Sequence, residues 1–134
     1  MRRVEDSRYG VYADYRIFGG APQLSNRKVR FSAIEDIAEQ RSRQGSEYLE
    51  FLRVPAMSAG VYVLAAGSTD CQSPHKQDEL YYVVQGRARM RAGHLDQAVR
   101  RGTLIFVPAH VEHQFYDMEE EITVLVFFAP AEAE

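Results

Sequence analysis

Cysteine and tryptophan are nearly absent from the sequence, which has one cysteine, Cys71, and no tryptophan among 134 residues. A single cysteine excludes an internal disulfide and favours a cytoplasmic location. No apolar run approaches the ~20 residues that a membrane-spanning helix needs. The N-terminal stretch MRRVEDSRYG also lacks the apolar segment of a secretory signal. We therefore expect neither a membrane protein nor a secretory leader.

An excess of positive charge is missing as well, since the formal net charge is −3. Arginines do cluster at Arg87, Arg89 and Arg91, but they alternate along a predicted strand and so mark one solvated face. Without a basic stripe, a nucleic acid is not an expected partner.

The length predicts one domain over residues 1–134, with an N-terminal arm and helix in 1–45 and a β-barrel in 46–130. A short strand is predicted at 28–31. Ser32 and Glu35 have the spacing of a capping box, and the apolar residues that follow predict a helix over about 33–44 that ends at Gly45.

Everything after the helix has the pattern of short β-strands separated by glycine and proline turns. This pattern predicts an all-β antiparallel sandwich or barrel. The predicted strands are 47–54, 60–66, 79–85, 87–91, 98–100, 104–107, 113–116 and 122–128.

Three of the residues in this region can hold a metal ion. His75 and Glu79 are four residues apart, which places them on one face, and His113 begins a later strand. Two imidazoles and one carboxylate that converge inside a barrel leave coordination positions open, and they suit Fe(II) best, with Mn, Ni, Co or Zn also possible. From the residues alone, a simple hydrogen-bonded His–Glu pair remains an alternative.

The spacing of these residues resembles the two motifs of the cupin superfamily. The first motif is matched by Gly67, His75, Glu79 and Gly86, and the second by Gly102, Pro108 and His113. The resemblance covers residues 67–117 and implies a double-stranded β-helix, or jelly roll. It also implies that His75, Glu79 and His113 are metal ligands.

The sequence departs from the cupin motifs at three positions. Ser73 stands where the family has its first histidine, His110 replaces a turn glycine, and Asp117 replaces an asparagine. The resemblance therefore implies three ligands where the family has four. Gln77 could supply an amide oxygen as the fourth, or Ser73 could hold a water molecule. His110 is predicted to adopt an unusual backbone conformation.

Aromatic residues are predicted to complete the pocket. Tyr81 has the parity of Glu79 and should face the interior, where it could orient a substrate or donate a proton as a catalytic residue, or simply pack. The predicted pocket walls are Tyr62, Phe106 and Phe115, with core packing as the alternative for each.

The resemblance implies a metal-dependent enzyme that acts on a small organic molecule by dioxygenase, isomerase or lyase chemistry. The cofactor would be a divalent Fe, Mn, Ni or Zn ion, with Fe(II) favoured. The alternative is a cupin that binds a small molecule or a metal without turnover, since one motif histidine is lost. Small cupins are commonly dimers, and the doubly apolar strands predict a homodimer.

Overall fold

The computed structural model describes residues 28–133, which form one α-helix followed by eight β-strands. The predicted N-terminal arm lies outside the described residues. The helix in the described part of the chain is too short and too polar to cross a membrane. The elements are α1 (Ile34–Gln44), β1 (Tyr48–Val54), β2 (Met57–Leu64), β3 (Asp78–Gln85), β4 (Arg87–Ala92), β5 (Leu95–Arg100), β6 (Leu104–Val107), β7 (His113–Tyr116) and β8 (Ile122–Ala129).

The strands form two antiparallel sheets that face each other, as in a jelly roll. The larger sheet has the order β1-β2-β8-β3-β6 and the smaller one the order β5-β4-β7. Side chains of both sheets meet in one buried core, in which Tyr62, Tyr81 and Val83 come from the larger sheet and Met90 and Phe115 from the smaller. The all-β jelly-roll prediction is confirmed.

Alternation along β3 decides which side chains reach the interior. Glu79, Tyr81 and Val83 point inward and are buried, whereas Leu80 and Tyr82 point outward and are each 37% exposed. Strand β3, which has apolar residues at both its inward and its outward positions, is therefore fully covered on its inner face and only partly covered on its outer face.

Helix α1 covers the outer face of the larger sheet at β1 and β2. Its Ile37 is buried against Leu49, Val61 and Val63. Gly45 ends the helix as predicted, in the left-handed conformation with φ 75°. Glycine adopts this conformation without the steric cost that a Cβ brings.

Two local predictions at the start of the described chain are wrong. The helix begins one residue later than the capping box requires, because its N-cap is Ala33, which forms no side-chain cap hydrogen bond. Residues 28–31 form no strand. Val29 and Phe31 are 86% and 77% exposed there, and no described strand pairs with this segment.

Backbone N–H groups of the loop between β6 and β7 donate hydrogen bonds to the loop that precedes β3 and to the first side chain of β3. The backbone N–H of His110 donates to the carbonyl of His75 at 2.7 Å, and the N–H of Ala109 donates to Asp78 Oδ1 at 2.9 Å. His110 has φ 70°, which confirms the unusual conformation predicted for it. The fold thereby places two histidine-bearing segments next to each other.

The surroundings of Gly86 explain why the first motif has a glycine at this position. Its φ is 95°, and a side chain there would overlap the backbone of Glu121 and Ile122. Only glycine fits such a close backbone approach. The turn between β3 and β4 therefore depends on this residue.

Candidate metal centre

Three predicted ligands converge between the two sheets. Glu79 lies on β3 and points inward, His113 is the first residue of β7, and His75 lies in the loop before β3. His113 Nε2 is 3.1 Å from Glu79 Oε1, and His75 Nε2 is 3.9 Å from the same oxygen. One donor atom from each residue lies within 4.8 Å of the others. This is the arrangement in which one ion could bind all three.

The donor atoms of Glu79 and His113 are buried without hydrogen-bond partners. The side chains of Glu79 and His113 are each only 1% exposed. Both carboxylate oxygens of Glu79, and Nε2 of His113, form no hydrogen bond within residues 28–133. Their 3.1 Å contact is thus a close approach without hydrogen-bond geometry. Buried polar atoms without partners are costly, and a cation would satisfy all of them at once.

The distances also suit a metal ion. With bonds of about 2.1 Å to nitrogen or oxygen, neighbouring ligand atoms of an octahedral or tetrahedral ion lie roughly 3.0–3.4 Å apart. The 3.1 Å between His113 Nε2 and Glu79 Oε1 falls in that range. The donor set of two imidazoles and a carboxylate therefore suits a divalent transition metal by its chemistry. The spacing of His113 and Glu79 also fits, whereas the 3.9 Å between His75 Nε2 and Glu79 Oε1 exceeds this range.

Each histidine is oriented by a partner on its other ring nitrogen. His113 Nδ1–H donates to the carbonyl of Val111 at 2.9 Å, so its Nε2 carries the lone pair. His75 Nδ1 lies 3.3 Å from Glu132 Oε2. A carboxylate or carbonyl behind the imidazole is the usual arrangement in metal sites, where it fixes the tautomer and makes the ligand more basic.

Neighbouring oxygens raise the pKa of both histidines above the ordinary value. The Glu132 carboxylate raises the pKa of His75, against an opposing effect of burial. Burial lowers the pKa of His113, but Glu79 and the Val111 carbonyl together outweigh it and raise the pKa overall.

A hydrogen-bonded network beside the cluster was not expected from the sequence. Asp70 is 3% exposed and accepts hydrogen bonds from Tyr62 Oη at 2.7 Å and from the backbone N–H of Phe115 at 2.8 Å. It also accepts from Gln72 Nε2 at 3.0 Å. Gln72 Oε1 in turn accepts from Tyr81 Oη at 3.1 Å and lies 3.2 Å from His75 Nε2.

Glu132 is another site residue that the sequence did not reveal. Residues 131–132 fold back onto the barrel. The backbone N–H of Glu132 donates to Ser58 Oγ at 2.9 Å, and Arg53 donates to its carbonyl at 2.8 Å. The charge pattern of the tail is typical of solvated ends, and only the three-dimensional path places Glu132 on His75.

Two cavities adjoin the cluster. The first, of about 220 Å³, has aromatic and aliphatic walls that include Tyr62, Val126 and Phe128, with His75 and Glu132 at its polar end. The second, of about 420 Å³, is more polar and opens beside His113, with Arg91 and Gln114 on its wall. Gln72 lines both cavities.

The three predicted pocket walls lie in three different environments. Tyr62 lines the first cavity. Phe115 is fully buried and forms an edge-to-face contact with Tyr81, with ring centroids 5.1 Å apart. It packs in the core and lines neither cavity. Phe106 is 62% exposed on the outer face of β6 and lines a separate cavity between β5 and β6, which corrects its assignment as a wall of this pocket.

The remaining predicted site residues are Tyr81, Gln77 and Ser73. Tyr81 is fully buried, and burial, together with Glu79, raises the pKa of its hydroxyl well above the usual value. The hydroxyl of Tyr81 therefore stays protonated at neutral pH and acts as a hydrogen-bond donor. Gln77 is buried but lines neither cavity beside the cluster. Ser73 is exposed on the wall of the polar cavity.

Comparison with family models and curated proteins gives a consistent result. Residues 60–129 match the family model of the cupin domain. The chain is also 44% identical over 100 residues to the uncharacterized protein SCO3923 of Streptomyces coelicolor, a match that covers 75% of this chain and 95% of that protein.

Solved structures share the fold. TT1209 from Thermus thermophilus has a TM-score of 0.61 at 19% identity, over 75% of this chain and 97% of that one. KdgF from Halomonas sp. has a TM-score of 0.57 at 21% identity, over 62% of this chain and 78% of that one. At this level of identity the likeness concerns the barrel alone.

Proposed function

Since this chain belongs to the cupin domain family, we propose that it binds one divalent metal ion through His75, Glu79 and His113 and acts on a small organic molecule beside that ion. The observation that supports this most directly is the trio of converging donors, of which Glu79 and His113 are buried without hydrogen-bond partners. A structural His–Glu pair would satisfy its own hydrogen bonds, and this one does not.

The ligand set favours Fe(II), with Mn, Ni, Co and Zn as alternatives, because two imidazoles and one carboxylate leave coordination positions open. When bound, the ion supplies Lewis acidity or, if it is iron, a site for dioxygen activation. The protein contributes the orientation of the ligands, through Val111 on one histidine and Glu132 on the other.

The first cavity limits the size and nature of the substrate. Its volume of about 220 Å³ equals that of roughly seven water molecules at ~30 Å³ each. Its apolar walls favour a short hydrocarbon or ring, and its polar end at His75 favours a carboxylate, carbonyl or hydroxyl oxygen that reaches the ion. Tyr81 lines neither cavity and donates its hydroxyl hydrogen to Gln72 Oε1 at 3.1 Å, and its raised pKa makes it a weak acid, so its catalytic role stays a prediction.

A second candidate function is binding without turnover. Ser73 in place of the first motif histidine leaves the site one imidazole short, and Tyr81 Oη is already engaged by Gln72. A binding module would gain stability with a small ligand and form no product. An enzyme would show metal-dependent product formation.

The first test is the metal content of tag-free protein purified without chelator, measured by mass spectrometry. We expect close to one ion per chain, lost in His75→Ala and His113→Ala and retained in His94→Ala. His94 is an exposed histidine outside the cluster and serves as the matched control. If none of Fe(II), Mn, Ni or Zn binds the wild-type chain, the metal-dependent function is wrong.

The second test is a substrate screen of the loaded protein under air and without oxygen. Turnover that needs air indicates oxygenase chemistry, and turnover without it indicates isomerase or lyase chemistry. Stabilisation by a compound that is recovered unchanged, under both conditions, favours the binding module.

The predicted homodimer has support from the outer face of the larger sheet. Leu80 and Tyr82 on β3 pair across strands with Phe106 and Leu104 on β6, and the latter two are 62% and 65% exposed. Exposed apolar clusters of this kind are typical of interfaces. The cytoplasmic location also stays a prediction.

A further inference from the structure

We infer that the side-chain oxygen of Gln72 is the fourth protein ligand of the proposed metal ion, in place of the histidine that is missing at Ser73. The inference rests on the proposed metal site and extends it to a residue outside the matched motif positions. It makes the protein shell two imidazole nitrogens, one carboxylate oxygen and one amide oxygen.

The position of Gln72 Oε1 is the first argument. It forms a hydrogen-bond contact of 3.2 Å with His75 Nε2, and this separation is nearly the same as the 3.1 Å between His113 Nε2 and Glu79 Oε1. Both values fall in the range of about 3.0–3.4 Å expected for neighbouring ligands of one ion. Gln72 also shares one cavity wall with His75 and the other with His113. It therefore stands at the junction where an ion would meet both.

The orientation of the amide is the second argument. Gln72 Nε2 donates to Asp70 Oδ2 at 3.0 Å, and a carboxylate can only accept hydrogen bonds. Rotation of the amide by 180° would set its carbonyl oxygen against the Asp70 carboxylate, which is unfavourable. Asp70 thus holds the nitrogen on its own side and leaves the oxygen facing His75.

Asp70 itself is fixed in place. It is 3% exposed and accepts hydrogen bonds from Tyr62 Oη and from the backbone N–H of Phe115. The chain of contacts from Tyr62 through Asp70 to Gln72 therefore orients an oxygen before any ion binds. Such preorganisation lowers the cost of binding, because less side-chain freedom is lost.

Tyr81 is compatible with ligation by Gln72. An amide oxygen has two lone pairs, so it can accept the hydrogen bond from Tyr81 Oη at 3.1 Å and still bind an ion. Tyr81 would then lie directly behind a ligand. The alternatives fit less well: within residues 28–133 no hydrogen bond joins Gln77 to the cluster, whereas Gln72 contacts both His75 and Tyr81, and the short side chain of Ser73 is exposed.

The chemistry of this shell follows from its donors. All four protein ligands are hard or borderline donors, and none is a sulfur, so the site should take Fe(II), Mn, Ni, Co or Zn and reject Cu(I). A neutral amide oxygen is a weaker donor than the imidazole it replaces. We therefore expect the ion to bind reversibly and to be removed by a chelator.

The test uses Co(II) as the probe, because its visible absorption reports the number and type of its ligands. The variants are Gln72→Ala and Gln72→Leu, the second of which keeps most of the side-chain volume and has no donor atom. Gln77→Ala is the matched control. The dissociation constant is measured by chelator competition, and thermal unfolding of each metal-free variant shows whether it folds.

We expect both Gln72 variants to bind Co(II) about tenfold or more weakly than wild type, with a changed absorption spectrum, and Gln77→Ala to behave as wild type. Weaker binding with an unchanged spectrum would mean that Gln72 only positions His75, and this would overturn the inference. Unchanged affinity and spectrum would overturn it too, while the three-ligand site stands. Failure of the wild-type chain to bind Co(II), Fe(II), Mn, Ni or Zn would instead remove the proposed function together with the inference.

Discussion

The carboxylate of Glu132 lies 3.3 Å from Nδ1 of His75, although His75 lies in the loop between β2 and β3 and Glu132 lies beyond β8. The side chain of Glu132 is 27% exposed and that of His75 is 18% exposed, so solvent screens the contact only in part. This carboxylate has the position of the outer partner in a carboxylate–histidine–metal triad.

We predict that Glu132→Gln weakens metal binding by about 10- to 100-fold, the range seen when such outer partners are removed. The amide is nearly isosteric but is neutral and makes His75 a less basic ligand. The measurement is chelator competition with Zn or Co(II). Glu119→Gln, which removes an exposed glutamate paired with Arg87, is the control, and equal affinities in the two variants would contradict the prediction.

Asp70→Asn should destabilise the metal-free protein by about 2 kcal/mol, the order expected when a buried charged acceptor is lost. The introduced amide group would have to face one of the donors that now point at Asp70. Urea denaturation in the presence of chelator measures the change. Asp96→Asn, an exposed position, should cost clearly less, and a comparable loss in both would show that burial of Asp70 is not the cause.

His110→Gly should stabilise the chain by about 1 kcal/mol. The reason is that His110 has φ 70°, a conformation that costs a residue with a Cβ roughly 1–2 kcal/mol, part of which is offset by the greater freedom of unfolded glycine. His110→Ala retains the Cβ and should give no such gain. The free energy of unfolding in urea, compared among the three chains, decides the matter.

Leu80→Ser combined with Tyr82→Ser should convert the predicted homodimer to a monomer. These two side chains belong to the exposed apolar face of the larger sheet. Leu95→Ser is the control, since Leu95 is 73% exposed but lies on the smaller sheet. Sedimentation velocity gives the mass in solution, and a monomeric wild-type chain would show that the homodimer prediction is wrong.

Local signals allowed most of the fold to be predicted from the sequence. The strands at 104–107 and 113–116 were predicted with the bounds that the structure shows. Gly102 and Pro108 delimit the first strand, and the motif residue His113 begins the second. The capping-box spacing at Ser32 predicted the wrong N-cap residue, because a spacing of serine and glutamate does not by itself fix where a helix begins.

The sequence predicted only those site residues that strand alternation or motif spacing locates. Glu79 and Tyr81 are inward by alternation, but β6 is apolar on both parities, so the sequence could not show that Ile105 and Val107 face inward and Phe106 outward. Gln72 and Glu132 lie outside the strands, where no periodicity exists. Their places depend on a buried Asp70 and on the path of residues 130–133.

The division of the proposed ligands between the two sheets has a further consequence. Glu79 belongs to the larger sheet and His113 to the smaller, and no described strand of one sheet pairs with a strand of the other. An ion that joins them would cross-link the two layers of the sandwich, and it would stabilise the folded state because it binds the folded chain and not the unfolded one. The loaded protein would have to release its ion before the two layers could separate. Metal binding at this site would therefore stabilise the fold as well as supply its chemistry.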